Sequence, residues 1–380
     1  MAGGCLAIPR SFYARFAKSK ITAVEMIKSN LLSKVDLTKP PKIDFLKSLT
    51  TQTGILQHTK YGIPHRSLGY SLDDNARALI VMIRAYKLFK KKEYLDLARV
   101  YISFIIQAKE AGNFFYNFQT FEHKFLPKVS QDSFGETLWA LAETIEVKID
   151  PSLSNLAKEL FSETEQNIAK INSPRAVAYT IIALYHILKV NPKNKSAYKN
   201  LEKLTKALLK LYGKYSDKDW TWFESFLTYA NHILPTALFY AYLVLKDEEV
   251  LKLARQSLSF LEGCSHTADG VPSPIGSHGW YFKGEEKATF DQQPVEASYA
   301  VIANLAAYEA TKKKEYKLAA LDWVAWFHGN NINKVKVYNV STGGCYDAVN
   351  AEGVNLNQGA EPIICYLLAS LALSTSLRKK

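Results

Sequence analysis

An all-α fold, an (α/α)6 toroid built from six helical hairpins, is what this 380-residue sequence predicts. Three observations carry the prediction. Apolar residues recur at three- and four-residue spacing in paired segments along most of the chain, which is the period of amphipathic helices. A phrase repeats: Lys90-Lys-Lys-Glu-Tyr94-Leu-Asp-Leu-Ala98 returns as Lys312-Lys-Lys-Glu-Tyr316-Lys-Leu-Ala319 and, more loosely, as Asp247-Glu-Glu-Val250-Leu-Lys-Leu-Ala254. Each copy closes one periodic segment and opens the next, as stacked hairpins do. Loops rich in Gly, Asp, Asn, Trp and Tyr separate the hairpins at a recurring interval, from Asp74 to Asp132 (58 residues), Arg175 (43), Glu224 (49), Asp291 (67) and Gln358 (67).

A helical appendage is expected over residues 21–37, within an N-terminal segment 1–40. The toroid is expected over 41–380 as one domain, because no Pro/Gly/Ser-rich linker divides it. Ala76, Leu79, Ile80, Ile83 and Tyr86 line one face of the first toroid helix, and Leu95, Ala98, Ile102, Ile105 and Ile106 line its partner. Further pairs follow at 138–145 and 156–168, 176–188 and 201–211, 237–245 and 250–261, and 295–310 and 318–327. A helix over 362–374 closes the set. Alternating, strand-like runs are scarce.

Hydrophobic residues make up 48% and charged residues 22%, an ordinary globular composition that excludes disorder and fibrous repeats. The four cysteines form no CxxC pair, so neither a zinc ribbon nor a disulfide framework is indicated and a reducing cytoplasm is expected. No stretch within the first 20 residues matches a signal-peptide core, so export is not expected, and no run of about 20 apolar residues predicts a membrane span. A net charge of +12 invites a nucleic-acid partner. The lysines instead fall in runs such as Lys90–Lys92 and Lys312–Lys314, without interleaved aromatics, so none is expected. Phosphate-loop, dinucleotide, HExxH and GxSxG signatures are missing, and the eight histidines lack ligand spacing. Neither a metal nor a cofactor is therefore expected.

Candidate functional residues sit in the inter-helix loops, where a rigid scaffold can present polar groups to a ligand. The first loop reads His58-Thr-Lys-Tyr61-Gly62-Ile-Pro64, then Gly69-Tyr70-Ser-Leu-Asp73-Asp74-Asn75-Ala-Arg77. Asp73 or Asp74 can cap the helix that opens near Asn75. Two adjacent carboxylates also oppose each other's ionisation, which lifts one toward the range of a general acid. Both roles stay open. The second loop sets Asn113 and Asn117, amides suited to sugar hydroxyls, among phenylalanines and a tyrosine, and leads to Asp132-Ser133-Phe134-Gly135-Glu136, where Asp132 or Ser133 reads as a cap. The third places Glu224 among Trp220, Trp222 and Phe223. Desolvation by such rings raises a glutamate pKa, and the rings offer platforms for pyranose C–H faces. The structural alternative buries Trp222 and Phe223 and pairs Glu224 with an arginine. The fourth runs through Trp280 to Phe290-Asp291-Gln292-Gln293-Pro294-Val-Glu296, with Pro294 in the first turn of a helix. The fifth holds Tyr346-Asp347 and Asn357-Gln358-Gly359-Ala360-Glu361. Repeated carboxylate-plus-amide loops suit polyhydroxyl ligands, whose donors and acceptors each need a partner when dehydrated.

Read together, these loops resemble helical domains fused to, or encoded beside, family-four-type bacterial glycosyltransferases. The resemblance is carried by Thr53-Gly54-Ile55-Leu56-Gln57-His58, Tyr70-Ser-Leu-Asp73-Asp74-Asn75-Ala76-Arg77, Asp132-Ser133-x-Gly135-x-Thr137-Leu138-Trp139, Ser173-Pro174-Arg175-Ala176, Trp222-Phe223-Glu224 and Leu227-Thr228-Tyr229-x-Asn231. Gly279-Trp280-Tyr281, Phe290-Asp291-Gln292-Gln293-Pro294, Gly343-Gly344-Cys345-Tyr346-Asp347 and Asn357-Gln358-Gly359-Ala360-Glu361 complete it, so it covers nearly everything after about residue 40. It implies a fold like the six-hairpin glycosidases and a mannose-containing glycan as ligand. Two positions depart from the pattern: Ala230 stands where Asp is expected and Glu136 where Arg is expected.

A glycan-active enzyme is the leading expectation, most simply a glycoside hydrolase. Glu224 is expected to protonate the glycosidic oxygen, with Asp74 or Asp291 as its partner carboxylate. Trp222, Trp280 and Tyr346 are expected to shape the sugar subsites. His58, Tyr61, Asp73, Arg77, Asn113, Asn117, Gln292, Gln293, Glu296, Asp347, Asn357, Gln358 and Glu361 are the expected binding residues. One alternative is a noncatalytic module serving a separate glycosyltransferase. Another is a sugar epimerase or isomerase, which would want a histidine pair facing the cleft.

Overall fold

The computed structural model describes residues 37–109 and 114–378, so the expected appendage helix lies outside the described residues except for Leu37. A short helix α1 (Asp44–Leu49) precedes five hairpins: α2 (Leu72–Phe89) with α3 (Lys92–Ala108), α4 (Gln131–Val147) with α5 (Pro151–Thr164), α6 (Pro174–Val190) with α7 (Lys195–Tyr215), α8 (Ile233–Leu245) with α9 (Glu248–Cys264), and α10 (Pro294–Thr311) with α11 (Lys314–Trp326). Helix α12 (Ala360–Arg378) ends the described chain. Each even-numbered helix packs on the next, and α12 packs back on α2, so six inner helices close a ring. The odd-numbered helices form the outer layer. The sixth outer position is held, among the described residues, by short α1, which packs against α12.

Burial explains which helix went where. The inner helices touch neighbours on every side and are apolar nearly all round, as a buried helix must be. The outer helices carry one apolar stripe; α7 buries Ala197, Leu201, Leu204, Thr205, Leu208 and Tyr212 and leaves its lysines in water. Helix α12 has the length and apolarity to cross a membrane, but 72% of its apolar window is buried inside the ring. Its apolarity closes the toroid. Inner helices meet most tightly at Gly135, where a Cβ would lie 2.8 Å from the Ala176 carbonyl oxygen and 3.0 Å from Tyr179 Cβ.

The repeated lysine phrase acquires a geometry that its composition did not disclose. Lys90, Lys246 and Lys312 each end an inner helix in the left-handed region, with φ of 56°, 56° and 59°. Each donates its backbone N–H to a tyrosine carbonyl four residues back, Tyr86 (2.9 Å), Tyr242 (2.9 Å) and Tyr308 (2.8 Å). Its ammonium group lies over the same tyrosine ring, at 5.1, 5.6 and 6.0 Å. Four residues after each lysine, Tyr94, Val250 and Tyr316 are buried as the anchors of the outer helices. The repeat is a reversal device, running from inner helix through left-handed lysine to outer-helix anchor.

All six inner helices start on one side of the ring. Five two-stranded antiparallel ribbons brace that rim among the described residues, including Tyr70–Ser71 against Phe118–Gln119 and Phe226–Leu227 against Tyr281–Phe282. The seam where the ring closes is a loop-to-loop lock. Thr59 Oγ1 donates to the Gln358 carbonyl (2.9 Å), the Tyr61 N–H to Asn357 Oδ1 (3.0 Å), and the Ala360 N–H to the Gln57 carbonyl (2.8 Å).

Candidate functional site

The first turns of the inner helices surround a cavity of about 390 Å3. Its wall is drawn from Asp73, Arg77, Asn117, Asp132, Glu136, Tyr179, Tyr229, Ala230, Trp280, Gln293 and Glu361, with Ser130, Ser133 and Val295 between them. One rule of helix geometry explains much of that membership. Residues four apart share a helix face, so Asp73 and Arg77 on α2 and Asp132 and Glu136 on α4 enter the cavity as stacked pairs.

Capping is done by other residues than the aspartates expected to do it. Helix α2 starts one residue after Ser71, whose hydroxyl oxygen accepts the Asp74 N–H at 3.4 Å. Ser130 does the same for α4, accepting the Ser133 N–H at 3.3 Å. Asp73 and Asp132 thus stand inside the first turn, although Asp73 still accepts the Asp74 N–H at 3.1 Å.

Arg77 organises the cavity floor. Its Nη1 donates to Glu361 Oε2 (2.8 Å) and its Nη2 to Asp74 Oδ1 (3.1 Å), while Asp73 Oδ2 lies 3.6 Å and Glu136 Oε1 3.7 Å from the guanidinium. One cation cannot hold four buried or half-buried acids ionised. Burial pushes Asp74 and Glu136 up to about 8 each against the pull of Arg77, so both keep their protons at neutral pH. Glu136 also accepts a hydrogen bond from the Tyr299 hydroxyl (3.1 Å), which accepts one from the Tyr179 hydroxyl (3.0 Å). Burial keeps both tyrosines neutral. On the facing wall Asp132 accepts from Ser173 Oγ (2.5 Å) and from the Tyr229 hydroxyl (2.7 Å). Asn117 is 6% exposed, and its Oδ1 has no hydrogen-bond partner. A buried acceptor at a cavity wall without a donor is poised for a ligand hydroxyl.

The structure brings Asp73, Arg77, Asn117, Trp280, Gln293 and Glu361 together as expected binding residues. Asn113 lies outside the described residues. Glu224, the expected acid, does not line the cavity: it is buried and accepts Arg175 Nη1 at 3.0 Å. Arg175 also donates to the Tyr229 carbonyl (2.6 Å) and Thr228 Oγ1 (3.0 Å), and its guanidinium lies 4.6 Å from the Tyr229 ring centroid. Glu224 therefore shapes the site through Arg175 and Tyr229. Asp74 sits beneath Asp73, held by Ser71 Oγ (2.8 Å) and Arg77. Asp291 is half-buried and away from the wall, with its carbonyl accepting the Ser277 N–H at 2.9 Å.

Several other expected binding residues are committed to the scaffold. Trp222 is fully buried. Gln292 is buried between Ser273 Oγ (3.0 Å) and Trp326 Nε1 (3.3 Å). Glu296 is buried and receives the Ala230 and Asn231 backbone N–H groups, which holds Ala230 at the cavity with φ 50°. Asn357 and Gln358 belong to the ring seam, with exposed Tyr61 and His58 beside them. Asp347 accepts the Gly359 N–H at 2.7 Å, and Tyr346 is half-buried against Asn339 (3.4 Å). Neither lines the cavity.

Sequence reasoning gave no binding role to Asp132, Glu136, Tyr179 and Tyr229. The four-residue repeat of polar positions at helix starts, Asp73/Arg77 against Asp132/Glu136, was the available signal. Tyr179 and Tyr229 carried none, because only ring closure brings α6 and the 228–231 turn to the same wall.

The other mouth of the ring, where the inner helices end, holds a second cavity of about 400 Å3. Its acids are each held by a neighbour, while Lys87 and Lys312 also line it. Arg84 forks Glu143 at 2.6 and 2.9 Å, Glu146 takes His186 and Lys189, and Glu309 accepts from the Tyr185 hydroxyl at 2.9 Å.

No family model matches the chain, and no curated protein matches it by sequence. Among solved structures it is similar to a D-mannose isomerase, with 12% identity, a TM-score of 0.69, and coverage of 92% of this chain and 98% of that one. Cellobiose 2-epimerase from Bacillus thermoamylovorans is similar at 15% identity and a TM-score of 0.68, covering 94% and 99%. A GH76 α-mannanase from Bacteroides thetaiotaomicron is similar at 12% identity and a TM-score of 0.61, covering 93% and 96%. The chain shares the (α/α)6 toroid of these carbohydrate-active proteins over nearly its whole described length.

Proposed function

We propose that the protein is a glycoside hydrolase acting on a mannose-containing oligosaccharide. The observation that carries this reading is the single cavity in which Asp73, Asp132, Glu136 and Glu361 share a wall with Trp280, Tyr229 and Tyr179. Glycosidic cleavage needs one carboxylic acid that still holds its proton and one ionised carboxylate across the scissile bond. Glu136 supplies the first, because burial keeps it protonated to about 8. Asp73, half-buried at the mouth and 3.6 Å from Arg77, supplies the second. Asn117 and Gln293 orient hydroxyls, and Trp280 gives a flat apolar face for a pyranose ring. The cavity volume falls in the ~300–1,000 Å3 range of small-molecule sites.

The fold likeness to mannanases supports the mannoside assignment. Inactive variants of the similar α-1,6-mannanase from Salegentibacter carry substitutions at two consecutive aspartates, and mannotetrose and mannotriose occupy such variants. The resemblance to glycosyltransferase-associated domains extends the proposal: the glycan is one assembled by a separate glycosyltransferase.

The fold is shared equally with epimerases and an isomerase, so the cavity must decide between reactions. Among the described residues no histidine lines it, which favours the carboxylate chemistry. The test is incubation with α-mannosides and other oligosaccharides, followed by product length analysis. Shorter products, lost at least 100-fold in Glu136→Gln and Asp73→Asn, are expected. A new reducing sugar of unchanged length would mean epimerisation, and saturable binding without turnover would mean a noncatalytic module.

A further inference from the structure

Glu136 is reached from the far side of the ring. Helices α4 and α10 stand three places apart among the six inner helices, so they face each other across the axis. Tyr299 on α10 spans that gap and donates its hydroxyl to Glu136 Oε1 at 3.1 Å, and Tyr179 on α6 donates to the Tyr299 oxygen at 3.0 Å. Packing fixes both phenols. The Tyr179 ring stands edge-on to the Tyr299 ring at 6.0 Å and stacks on Trp139 at 6.1 Å. Next to Tyr299, Ser298 Oγ donates to the Cys365 carbonyl at 2.8 Å, which pins α10 to α12. Tyr299 is fully buried and stands behind the cavity wall, whereas Tyr179 and Glu136 line it.

The donors converge on one carboxyl oxygen. Arg77 Nε also faces Oε1, at 3.7 Å. Among the described residues no hydrogen bond reaches Oε2, which is left for a partner in the cavity. An oxygen that accepts from a hydroxyl and faces a guanidinium is the carbonyl-like one of a carboxylic acid, because a proton placed on it would meet those donors head-on. The charges facing Glu136 are Arg77 and Asp73 on α2 and Asp132 one turn earlier on α4; Arg77 draws its pKa down and the two aspartates push it up. Asp74 and Glu361 face the same guanidinium.

We infer that Tyr299, backed by Tyr179, is a positioning residue that confines the Glu136 proton to Oε2, the oxygen open to the cavity. The inference rests on the hydrolase reading above. An acid that shares its proton between two oxygens is misaligned for part of the time, and productive transfer requires alignment. As the Oε2 proton passes to the glycosidic oxygen, the electron pair of the breaking glycosidic C–O bond leaves with that oxygen. The carboxylate left behind keeps the Tyr299 hydrogen bond, now charge-assisted and therefore stronger than before. A bond that strengthens along the reaction favours the transfer.

Tyr299→Phe removes the hydroxyl and keeps the ring. With an oligosaccharide that the wild type cleaves, kcat/KM at pH 6 is expected to fall about tenfold or more. The alkaline limb of its pH profile is expected to move up by about one pH unit, because the lost hydrogen bond had favoured ionised Glu136. A second readout needs no substrate. The infrared carbonyl band of protonated Glu136, identified by its loss in Glu136→Gln, is expected to persist to higher pH in Tyr299→Phe and to lie at higher frequency, since its C=O has lost a donor. Tyr179→Phe keeps the Tyr299 bond and is expected to move limb and band the same way by less; it supplies the comparison should Tyr299→Phe fold poorly. An unmoved limb and band overturn the inference even if the rate falls, because lost packing alone lowers kcat without touching the titration. A limb and titration displaced downward overturn it too, since Glu136 would then donate to Tyr299 with its proton turned away from the cavity. A wild type that cleaves no oligosaccharide ends the hydrolase reading, and the band then still decides whether Tyr299 holds the proton in place.

Discussion

Arg77 carries more of this site than any residue the sequence marked as an acid. Among the described residues it is the one cation on the cavity wall, and Asp73, Asp74, Glu136 and Glu361 all converge on it. Breaking a buried pair by removing one partner strands the other charge, at a cost of about 3–5 kcal/mol. Arg77→Met is expected to destabilise by that order in urea denaturation. The loss should be greater at pH 8 than at pH 5, because the stranded acids escape their repulsion by taking up protons. Equal destabilisation at both pH values would show that Arg77 acts by packing alone. Glu136 makes the complementary prediction about rate. A general acid works only while protonated, so kcat/KM is expected to hold up to the region of pH 8 and to fall tenfold per unit above it. Loss of rate already at pH 6 would remove Glu136 from the acid role.

Helices were legible where burial is one-sided or complete, because the apolar period survives any arrangement of neighbours. That is why α3, α7 and α9 stand out in the sequence and why α12 reads as apolar throughout. The caps were less legible. Ser71 and Ser130 take that work, which turns Asp73 and Asp132 from expected caps into wall residues. Glu224 shows the opposite failure. Its aromatic setting suggested a catalytic acid, but its partner Arg175 lies 49 residues away and reaches it only because α6 packs beside the turn leading into α8. A sequence displays the neighbours along the chain, whereas the ring chooses the neighbours across it. Gly135 is the element-scale test, since α4 and α6 approach over its missing side chain. Gly135→Val must push against the Ala176 backbone oxygen and Tyr179. A loss of about 1–3 kcal/mol is expected, together with loss of activity as Tyr179 and Glu136 separate. A variant of unchanged stability would mean that the two helices can part without cost.

At the scale of the whole molecule, stability depends on acids that the fold keeps away from water. Glu262 is fully buried where α9, α10 and α11 meet, accepting from Asn304 Nδ2 (2.5 Å) and Trp323 Nε1 (3.0 Å). His232 and His266 face it at 3.8 and 3.6 Å, and Asp322 adds a further negative charge nearby. Burial raises Glu262 to about 7 from the ordinary 4.5. The folded state therefore binds this proton more tightly than the unfolded chain does. Its contribution is full below about pH 4.5, declines as pH rises toward 7, and is gone above it. His232 tilts the curve the other way, since burial lowers it to about 3 from 6.5 and acid then favours the unfolded state. The two slopes oppose each other between pH 4.5 and 6.5, so the wild-type curve alone conceals both. Subtraction reveals the glutamate. Glu262→Gln keeps a carbonyl acceptor for Trp323 and Asn304 and cannot ionise, so relative to wild type it should gain stability between pH 4.5 and 7, by an amount on the order of 3 kcal/mol. Urea denaturation of both proteins across pH 4.5 to 8 measures that difference, and a difference independent of pH would place an ionised Glu262 in the folded ring throughout.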